Sequence, residues 1–154
     1  MFYSIFSLSG CCDHWDIKTL KASHGISFLL DVIPSVEWMD ISNFIEGKES
    51  IYIADTLTEA YDTNSIDEDF ENKPELVIPN LDYTSVQYDL ENGLVLVIGG
   101  ETGLSLDAKS FTLRKNGLRI TIPQHFNMNS LNSSAAMGII VYEMMRQNLE
   151  KLKE

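Results

Sequence analysis

The sequence predicts an α/β domain whose mostly parallel sheet is flanked by helices. Strand-like runs alternate with helix-like runs along most of the chain, which is the order that builds parallel sheets. One run, Leu94–Ile98, is an unbroken series of Leu, Val and Ile, as in central parallel strands. With 154 residues, 44% of them hydrophobic and 22% charged, the chain is expected to form a single domain around one core.

The first half of the chain is predicted to contain three strands and two helices. In order, we expect a strand at 3–8, a helix from Asp13 or Asp16 to about Ser23, a strand at 26–32, a helix at about 36–45 and a strand at 51–54. Gly25 is expected to end the first helix, since glycine is favoured just after a helix end. Pro34 is expected to break the second strand, and Ser35 to cap the helix that follows.

An acidic segment then interrupts the alternation. Between 59 and 92 the sequence is polar and is punctuated by Pro74 and Pro79, so we expect a flexible insertion. Residues Glu59 to Glu91 include ten acidic residues and one basic residue, Lys73, a charge of −9 within the formal net charge of −12. Binding to nucleic-acid phosphates requires a surface that is basic locally, and the rest of the chain leaves room for one.

The alternation of strand and helix resumes after the insertion. The strand at Leu94–Ile98 is followed by a helix that Ser105 is expected to cap and that runs to about Leu113. A further strand is predicted at 118–122. These elements supply the second half of the parallel sheet and one of its covering helices.

The last helix is predicted to start at Asn129 or Ser130 and to run to about Lys153. Its apolar stripe is wider than one packing partner needs, so we expect it to contact the sheet and also a second subunit. Glu143 and Arg146 stand three residues apart on this helix, a spacing that also suits an ordinary surface ion pair.

Composition and spacing argue against several kinds of site and signal. Cys11 and Cys12 are expected to be buried, reduced thiols of an intracellular protein, because adjacent cysteines rarely pair with each other. His14 is near them, but no further ligands stand at a usable spacing, so no metal site is expected. No run is long and apolar enough to span a bilayer. The absence of Arg and Lys before Lys18 argues against a signal or transit peptide.

Two strand ends carry the residues best placed for chemistry. Gly99-Gly100-Glu101 follows the central strand, at the edge where open α/β sheets bind ligands, although a tight strand-to-helix turn also explains the glycines. Ile122-Pro123 ends the next strand, where the proline takes the chain out of the sheet. Ser130 and Asn132 bracket the start of the last helix, and simple capping is the alternative reading of both.

These residues resemble two signature motifs of the SpoU-type RNA 2′-O-ribose methyltransferases. Residues 99–105 are similar to the second motif, G-x-E-x-x-G-[LV]-S, with one residue fewer between Glu101 and Gly103. Residues 122–147 are similar to the third motif, I-P…S-[LM]-N…A…Y-E…R-Q, without a gap. Residues 10–25 also look like this family, and their sequence is most similar to its mitochondrial large-subunit rRNA guanosine 2′-O-methyltransferase branch.

The resemblance implies a fold, a cofactor and a site. The implied fold is the SPOUT type with a deep trefoil knot, an exception to the usual unknotted rule. The implied cofactor is S-adenosylmethionine. The resemblance assigns its contacts to Gly99, Gly100, Ile122, Pro123 and Leu131.

The catalytic residues implied by the resemblance are Glu101, Ser130 and Asn132. A ribose 2′-hydroxyl is a weak nucleophile that must lose its proton while aligned with the methyl donor, so the protein supplies orientation and proton handling. A 2′-hydroxyl target identifies the substrate as RNA rather than DNA. The family further implies a homodimer through the last helix and a mitochondrial location, with the cytoplasm as the alternative.

The first motif of the family, Asn-x-Gly-x-x-x-Arg, is not found in this sequence. The motif brings the arginine thought to activate the hydroxyl, and Arg114, Arg119 and Arg146 stand in other elements. We therefore expect the first strand and helix of the fold to be missing. The alternative to catalysis is a truncated module that binds cofactor or dimerises without turnover. A flavodoxin-like ligand domain is a third possibility, without a phosphate loop to support it.

Overall fold

The computed structural model describes residues 4–55, 78–100, 104–125 and 131–153. The chain divides into two compact units, Met1–Gly47 and Lys48–Glu154, and each is described by itself. Within the described ranges, no helix has both the length and the apolar character that a membrane crossing requires. The α/β class with a mostly parallel sheet is confirmed.

The first unit contains a two-stranded parallel sheet. Its elements are β1 (Ser4–Leu8), α1 (Ile17–Ala22) and β2 (Asp31–Val36), with short 3₁₀ turns at Ile26–Phe28 and Ile41–Asn43. Asp16 caps α1 as expected, because its carboxylate accepts a hydrogen bond of 2.8 Å from the backbone N–H of Lys18. Gly25 follows with a φ of +80°, a left-handed conformation that glycine adopts without strain.

Two predictions in this unit are wrong. The strand predicted at 26–32 begins instead at Asp31 and runs through Pro34, and the helix predicted at 36–45 is absent from the described structure of this region. Pro34 is tolerated because β2 pairs only with β1 within the described ranges, so the other edge of the strand needs no N–H donor there. Ser35 caps no helix; it has a φ of +54° where the register between β1 and β2 shifts, as at a bulge.

Cys11 and Cys12 are both exposed and unoxidised, which corrects the expectation that they are buried. They lie in the loop after β1, beyond the last paired residues of the strand. Cysteine is usually buried for its apolar character, but a loop at the surface offers these thiols no covering element. Among the described residues no cluster of metal-ligating side chains is found.

The second unit contains a four-stranded, wholly parallel sheet. Its elements are β3 (Ser50–Ala54), β4 (Asn80–Asp82), β5 (Leu94–Ile98), α2 (Leu106–Arg114), β6 (Leu118–Thr121) and α3 (Ser133–Lys151). The strand order is β4-β6-β3-β5. Strand β3 is therefore central, and its Tyr52 pairs with Leu96 of β5 on one side and with Leu118 of β6 on the other.

Helix α3 packs on one face of this sheet. The core there is a cluster of buried residues from the sheet, the helix and the segment after β4: Tyr52, Val86, Tyr88, Ile120, Ile140 and Met144. Helix α2 packs against β3. Gly117, just before β6, permits this close approach, because a Cβ there would lie 2.6 Å from Cγ2 of Thr112 and 2.9 Å from the carbonyl oxygen of Ile51.

The described end of the acidic segment is ordered, which corrects the prediction of a flexible insertion for residues 78–92. It contains β4, which pairs with β6, and it buries Ile78, Val86 and Tyr88. These three apolar residues are spaced too irregularly to produce a helical or strand-like period, so the acidic composition dominated the prediction. The remainder of the segment, residues 59–77, lies outside the described residues.

The strand and helix predicted at 94–98 and after Ser105 are confirmed. The last helix begins three or four residues later than the two predicted starts, at Ser133, with Asn132 as its N-cap. Residues Asn129 and Ser130, the predicted starts, lie outside the described residues. The trefoil knot and the single-domain organisation stay predictions.

Candidate functional site

A cavity of about 290 Å³ lies at the carboxyl ends of the three adjacent strands β3, β5 and β6. Parallel α/β sheets bind ligands at this edge, because strand ends and the loops that leave them converge there. The start of α3 forms another part of the wall. The lining residues are Ala54, Asp55, Ile98, Gly99, Gly100, Leu104, Ile120, Ile122, Gln124, Leu131, Asn132, Ser133, Ala136 and Ile140.

The cavity brings together most of the predicted site residues that the structure describes. Gly99 and Gly100 come from the end of β5, Ile122 from the end of β6, and Leu131 and Asn132 from the turn into α3. Pro123 is exposed and is not among the lining residues. The predicted catalytic residues Glu101 and Ser130 lie outside the described residues.

Gly100 leaves open space beside the end of β5. A Cβ built on Gly100 would meet no heavy atom of the described residues within 4 Å. Most of the other lining residues are apolar, and the cavity volume is near the lower end of the roughly 300–1,000 Å³ that is usual for small-molecule sites. The site therefore combines an apolar wall with backbone that a ligand can approach closely.

Asp55 is a polar lining residue that the sequence reasoning missed. It directly follows the central strand β3, and its carboxylate is 3.6 Å from Nε of Arg119, with side-chain exposures of 25% and 8% respectively. The backbone N–H of Asp55 donates to the carbonyl of Ile120, which fixes the strand end. An acidic residue immediately after a buried strand was the available signal for it.

Gln124 is the second lining residue that was missed. It stands two residues after Ile122, beyond the end of β6, and its side-chain oxygen is buried. Alternation along an extended chain places Ile122 and Gln124 on the cavity side and leaves Pro123 exposed between them. That alternation, counted onward from Ile122, was the available signal.

Asn132 caps helix α3 at the cavity wall. Its Oδ1 accepts hydrogen bonds from the backbone N–H groups of Ser134 at 3.0 Å and Ala135 at 3.3 Å. The capping alternative for Asn132 is therefore confirmed, and the same residue lines the cavity. The helix N-terminus adds a partial positive charge to this wall.

Farther along α3, Glu143, Arg146 and Gln147 form a hydrogen-bonded network. Nε and Nη2 of Arg146 donate to the Glu143 carboxylate at 2.8 and 2.7 Å, and Nε2 of Gln147 donates to it at 2.9 Å. These bonds from Arg146 and Gln147 lower the pKa of Glu143 from 4.5 to about 2. Because Glu143 is buried, this is more than the surface ion pair that the spacing alone suggests.

Gln147 attaches the segment after β4 to the helix. Its amide donates to the carbonyl of Val86 at 2.9 Å and accepts from the N–H of Tyr88 at 3.1 Å. The Tyr88 hydroxyl donates to the carbonyl of Tyr83, and burial raises the pKa of Tyr88. The network holds α3 against the sheet and so fixes the helix whose first turn lines the cavity.

Comparison with curated proteins gives relatives with one common description. The chain is 30% identical to "rRNA methyltransferase 3, mitochondrial" of Xenopus tropicalis over 90% of its own length and 41% of that protein. It is 31% identical to "rRNA methyltransferase 3A, mitochondrial" of Danio rerio over 91% of the chain and 37% of the relative. The human "rRNA methyltransferase 3, mitochondrial" is 28% identical over 90% and 39%. No family model matches the chain.

Solved structures agree with this description. An AdoMet-bound rRNA methyltransferase from Sinorhizobium meliloti aligns with a TM-score of 0.67 and 21% identity over 93% of the chain and 45% of that structure. The SpoU methyltransferase AviRb from Streptomyces viridochromogenes aligns with a TM-score of 0.64 and 20% identity over 96% and 50%. The chain has the fold of the SpoU methyltransferases. Identities at this level establish the SPOUT fold class, and the chain spans about 40% of the length of its curated relatives.

The likeness to SpoU methyltransferases gives the cavity a functional context. Residues from the second motif, Gly99 and Gly100, and from the third motif, Ile122, Leu131 and Asn132, line the same cavity although they come from three separate elements. Asp55 lies outside both motifs, and Gln124 stands within the span of the third motif at a position that the motif leaves open. The SpoU motifs in this chain therefore meet at one site, at the carboxyl edge of a parallel sheet.

Proposed function

We propose that the chain forms the S-adenosylmethionine-binding part of an enzyme that methylates the ribose 2′-hydroxyl of RNA, with mitochondrial large-subunit rRNA as the substrate. The observation that carries the proposal is the cavity in which the two family motifs meet. The names of the curated relatives support rRNA and the mitochondrion. One structural neighbour is described by the words "Structural insights into the 2-OH methylation of C/U34 on tRNA", which supports the chemistry.

The residues of the cavity fit S-adenosylmethionine. An apolar wall with open space beside Gly100 suits the nucleoside and the thioether chain, and the buried side-chain oxygen of Gln124 offers an acceptor. Gly99, Gly100, Ile122 and Leu131 would hold the cofactor, with Pro123 shaping the exit from β6. When bound, S-adenosylmethionine supplies an electrophilic methyl group.

In this proposal the protein orients the 2′-hydroxyl and manages its proton. Asn132 is anchored by two hydrogen bonds to the backbone of α3, so its side-chain amide is held in a fixed position at the cavity wall. Ser130 and Glu101 are proposed to complete the reacting centre with it. Preorganised polar groups of this kind lower the barrier by orientation and by proton transfer, the latter typically by a factor of about 10²–10⁴.

Calorimetry with the full chain and S-adenosylmethionine tests cofactor binding. The matched variants are Ala136→Leu, which fills the cavity from α3, and Ser134→Leu, which places the same side chain at an exposed position of the first turn outside the cavity lining. We expect the chain to bind, Ala136→Leu to weaken binding more than tenfold, and Ser134→Leu to stay within about threefold. A folded chain that releases no heat would contradict the proposed cofactor site.

A second copy of the chain is proposed to cover the outer face of α3. Tyr142, Met145 and Leu149 are 70%, 54% and 55% exposed along this face. The small residues Ala135 and Gly138 border an open hollow beside them, which would let another helix approach closely. Light scattering should give a dimer that Tyr142→Glu dissociates and Gln87→Glu, at an exposed site off the helix, does not. A monomeric parent chain would exclude this interface.

The same exposed face favours a second function, a module that binds cofactor or dimerises without turnover. Transfer of labelled methyl groups from S-adenosylmethionine to an rRNA transcript separates the two functions. Methylation that Asn132→Ala abolishes supports the enzyme. Cofactor binding and dimerisation without methylation would support the module.

A further inference from the structure

We propose that Gln124 is a specificity-determining residue of the cavity, whose side-chain carbonyl accepts a hydrogen bond from an N–H or O–H donor of the bound small molecule. The inference rests on the proposed function, because it names a ligand contact within the same site. The residue stands within the span of the third motif, at a position for which the motif specifies no residue type. Its role follows from burial and hydrogen bonding alone.

The other buried or charged polar groups of the lining have partners. Asp55 is paired with Arg119, and the Asn132 oxygen accepts two backbone hydrogen bonds. Among the described residues of the lining, Oε1 of Gln124 is the one buried side-chain atom without a hydrogen-bond partner. Buried acceptors in native proteins are almost always satisfied, so an orphan in the wall of a cavity indicates a partner that enters the cavity.

The geometry of Gln124 suits recognition of a donor. Its terminal amide turns about a broad torsion, so rotation of the amide would carry Oε1 from its buried position to the cavity surface. The residue stands on the short extended segment that leaves β6, between Ile122 of the lining and the helix that closes the site. A ligand that left this acceptor unpaired would bind with a desolvation penalty, and a ligand that paired it would be selected.

S-adenosylmethionine and its demethylated product carry three kinds of donor: the exocyclic amine of adenine, the ammonium of the amino-acid end and the ribose hydroxyls. Each of the three can donate a hydrogen bond to the side-chain oxygen of Gln124. The experiment therefore compares the demethylated product, S-adenosylhomocysteine, with three analogues that each lack one donor. These are the counterpart with unsubstituted purine in place of adenine, 5′-methylthioadenosine, and the 2′,3′-dideoxy form of S-adenosylhomocysteine.

Binding of each compound is measured by calorimetry with the full chain, with Gln124→Met and with Gln87→Met. Methionine keeps the length and removes the acceptor, and Gln87 is an exposed site where the same change serves as the control. We expect Gln124→Met to weaken S-adenosylhomocysteine binding about tenfold and Gln87→Met to leave it unchanged. With the analogue that lacks the paired donor, the difference between the parent chain and Gln124→Met should disappear.

Each remaining outcome overturns the inference, and the outcomes are distinguishable. An equal loss with all four compounds would show that Gln124 only supports the shape of the wall. Full affinity of Gln124→Met for S-adenosylhomocysteine would show that the residue makes no contact, while leaving the proposed function intact. A folded parent chain that binds none of the compounds would remove the proposed function and this inference together.

Discussion

At the scale of the residue, the buried carboxylate of Glu143 organises helix α3. It accepts hydrogen bonds from Arg146 and Gln147, and those bonds depress its pKa to about 2. Glu150 pairs with the same arginine at 2.6 Å, but its side chain is 61% exposed, against 9% for Glu143. The two carboxylates therefore offer a comparison between a buried and a solvated partner of one guanidinium.

We predict that Glu143→Gln lowers the free energy of unfolding by roughly 1 to 2 kcal/mol at pH 7, because it replaces a charge-assisted bond in a buried site. The folded pKa lies below the unfolded value of 4.5, so the contribution of the carboxylate is complete above about pH 5 and is lost as the pH falls towards 2. Urea unfolding of parent and variant between pH 7 and 2 measures this. Glu150→Gln should cost less than about 0.5 kcal/mol. An unchanging Glu143→Gln deficit across that range would contradict the prediction.

The second prediction at the scale of the residue concerns the contribution of Gln147 to stability. Gln147→Leu removes both partners of the segment after β4, the acceptor for Tyr88 N–H and the donor to the Val86 carbonyl. We expect a loss of about 1–3 kcal/mol in unfolding free energy, since buried backbone groups are left unsatisfied. Gln87→Leu, at an exposed position of the same segment, is the control and should be near neutral. Equal effects of the two changes would show that the contact contributes nothing.

At the scale of the element, the sequence predictions were right where an element depends on neighbouring residues and wrong where it depends on distant ones. Ser105 caps α2 through a hydrogen bond of 3.1 Å from the N–H of Ala108, and both the cap and the helix were predictable from neighbouring residues. The strand through Pro34 was not predictable, because its pairing with β1 is set by residues nearly thirty positions away. Residues 78–88 are likewise held by contacts with Gln147 and with the sheet. Those partners are distant in the sequence, so no local pattern predicts the contacts.

The cap of α2 gives a prediction at this scale. Ser105→Ala should lower the free energy of unfolding by about 1 kcal/mol, because the N–H of Ala108 loses its acceptor. Ser110→Ala, the same change inside the helix, should be neutral or slightly stabilising, since alanine has the higher helix propensity. Thermal unfolding of both variants measures the difference. A cap variant as stable as the parent would show that solvent satisfies this N–H.

The lining residues that belong to sequence motifs could be predicted from the sequence. Those that reach the cavity only through the tertiary structure could not. Gly99, Gly100, Ile122, Leu131 and Asn132 were named from the sequence, and the structure places them on one cavity. Asp55 and Gln124 were not named, because the local signals for them, an acid directly after a buried strand and alternation onward from Ile122, occur at many positions that line no site. Only the convergence of three strand ends shows that these two side chains share the cavity.

At the scale of the whole molecule, the second unit has the architecture of a ligand site at the edge of a parallel sheet. Strands β3, β5 and β6 end together, and α3 closes the site with its capped first turn. The chain spans about 40% of its curated relatives. Its net charge of −12 requires that contact with RNA be made by a locally basic surface rather than by the molecule as a whole.

A crystal structure of the full chain with S-adenosylhomocysteine tests the central claim most directly. We predict density for the compound at the carboxyl ends of β3, β5 and β6, in contact with Gly99 and Gly100 on one side and with Leu131 on the other. Density at another place on the molecule, or a cavity that stays empty at saturating ligand, would contradict the account.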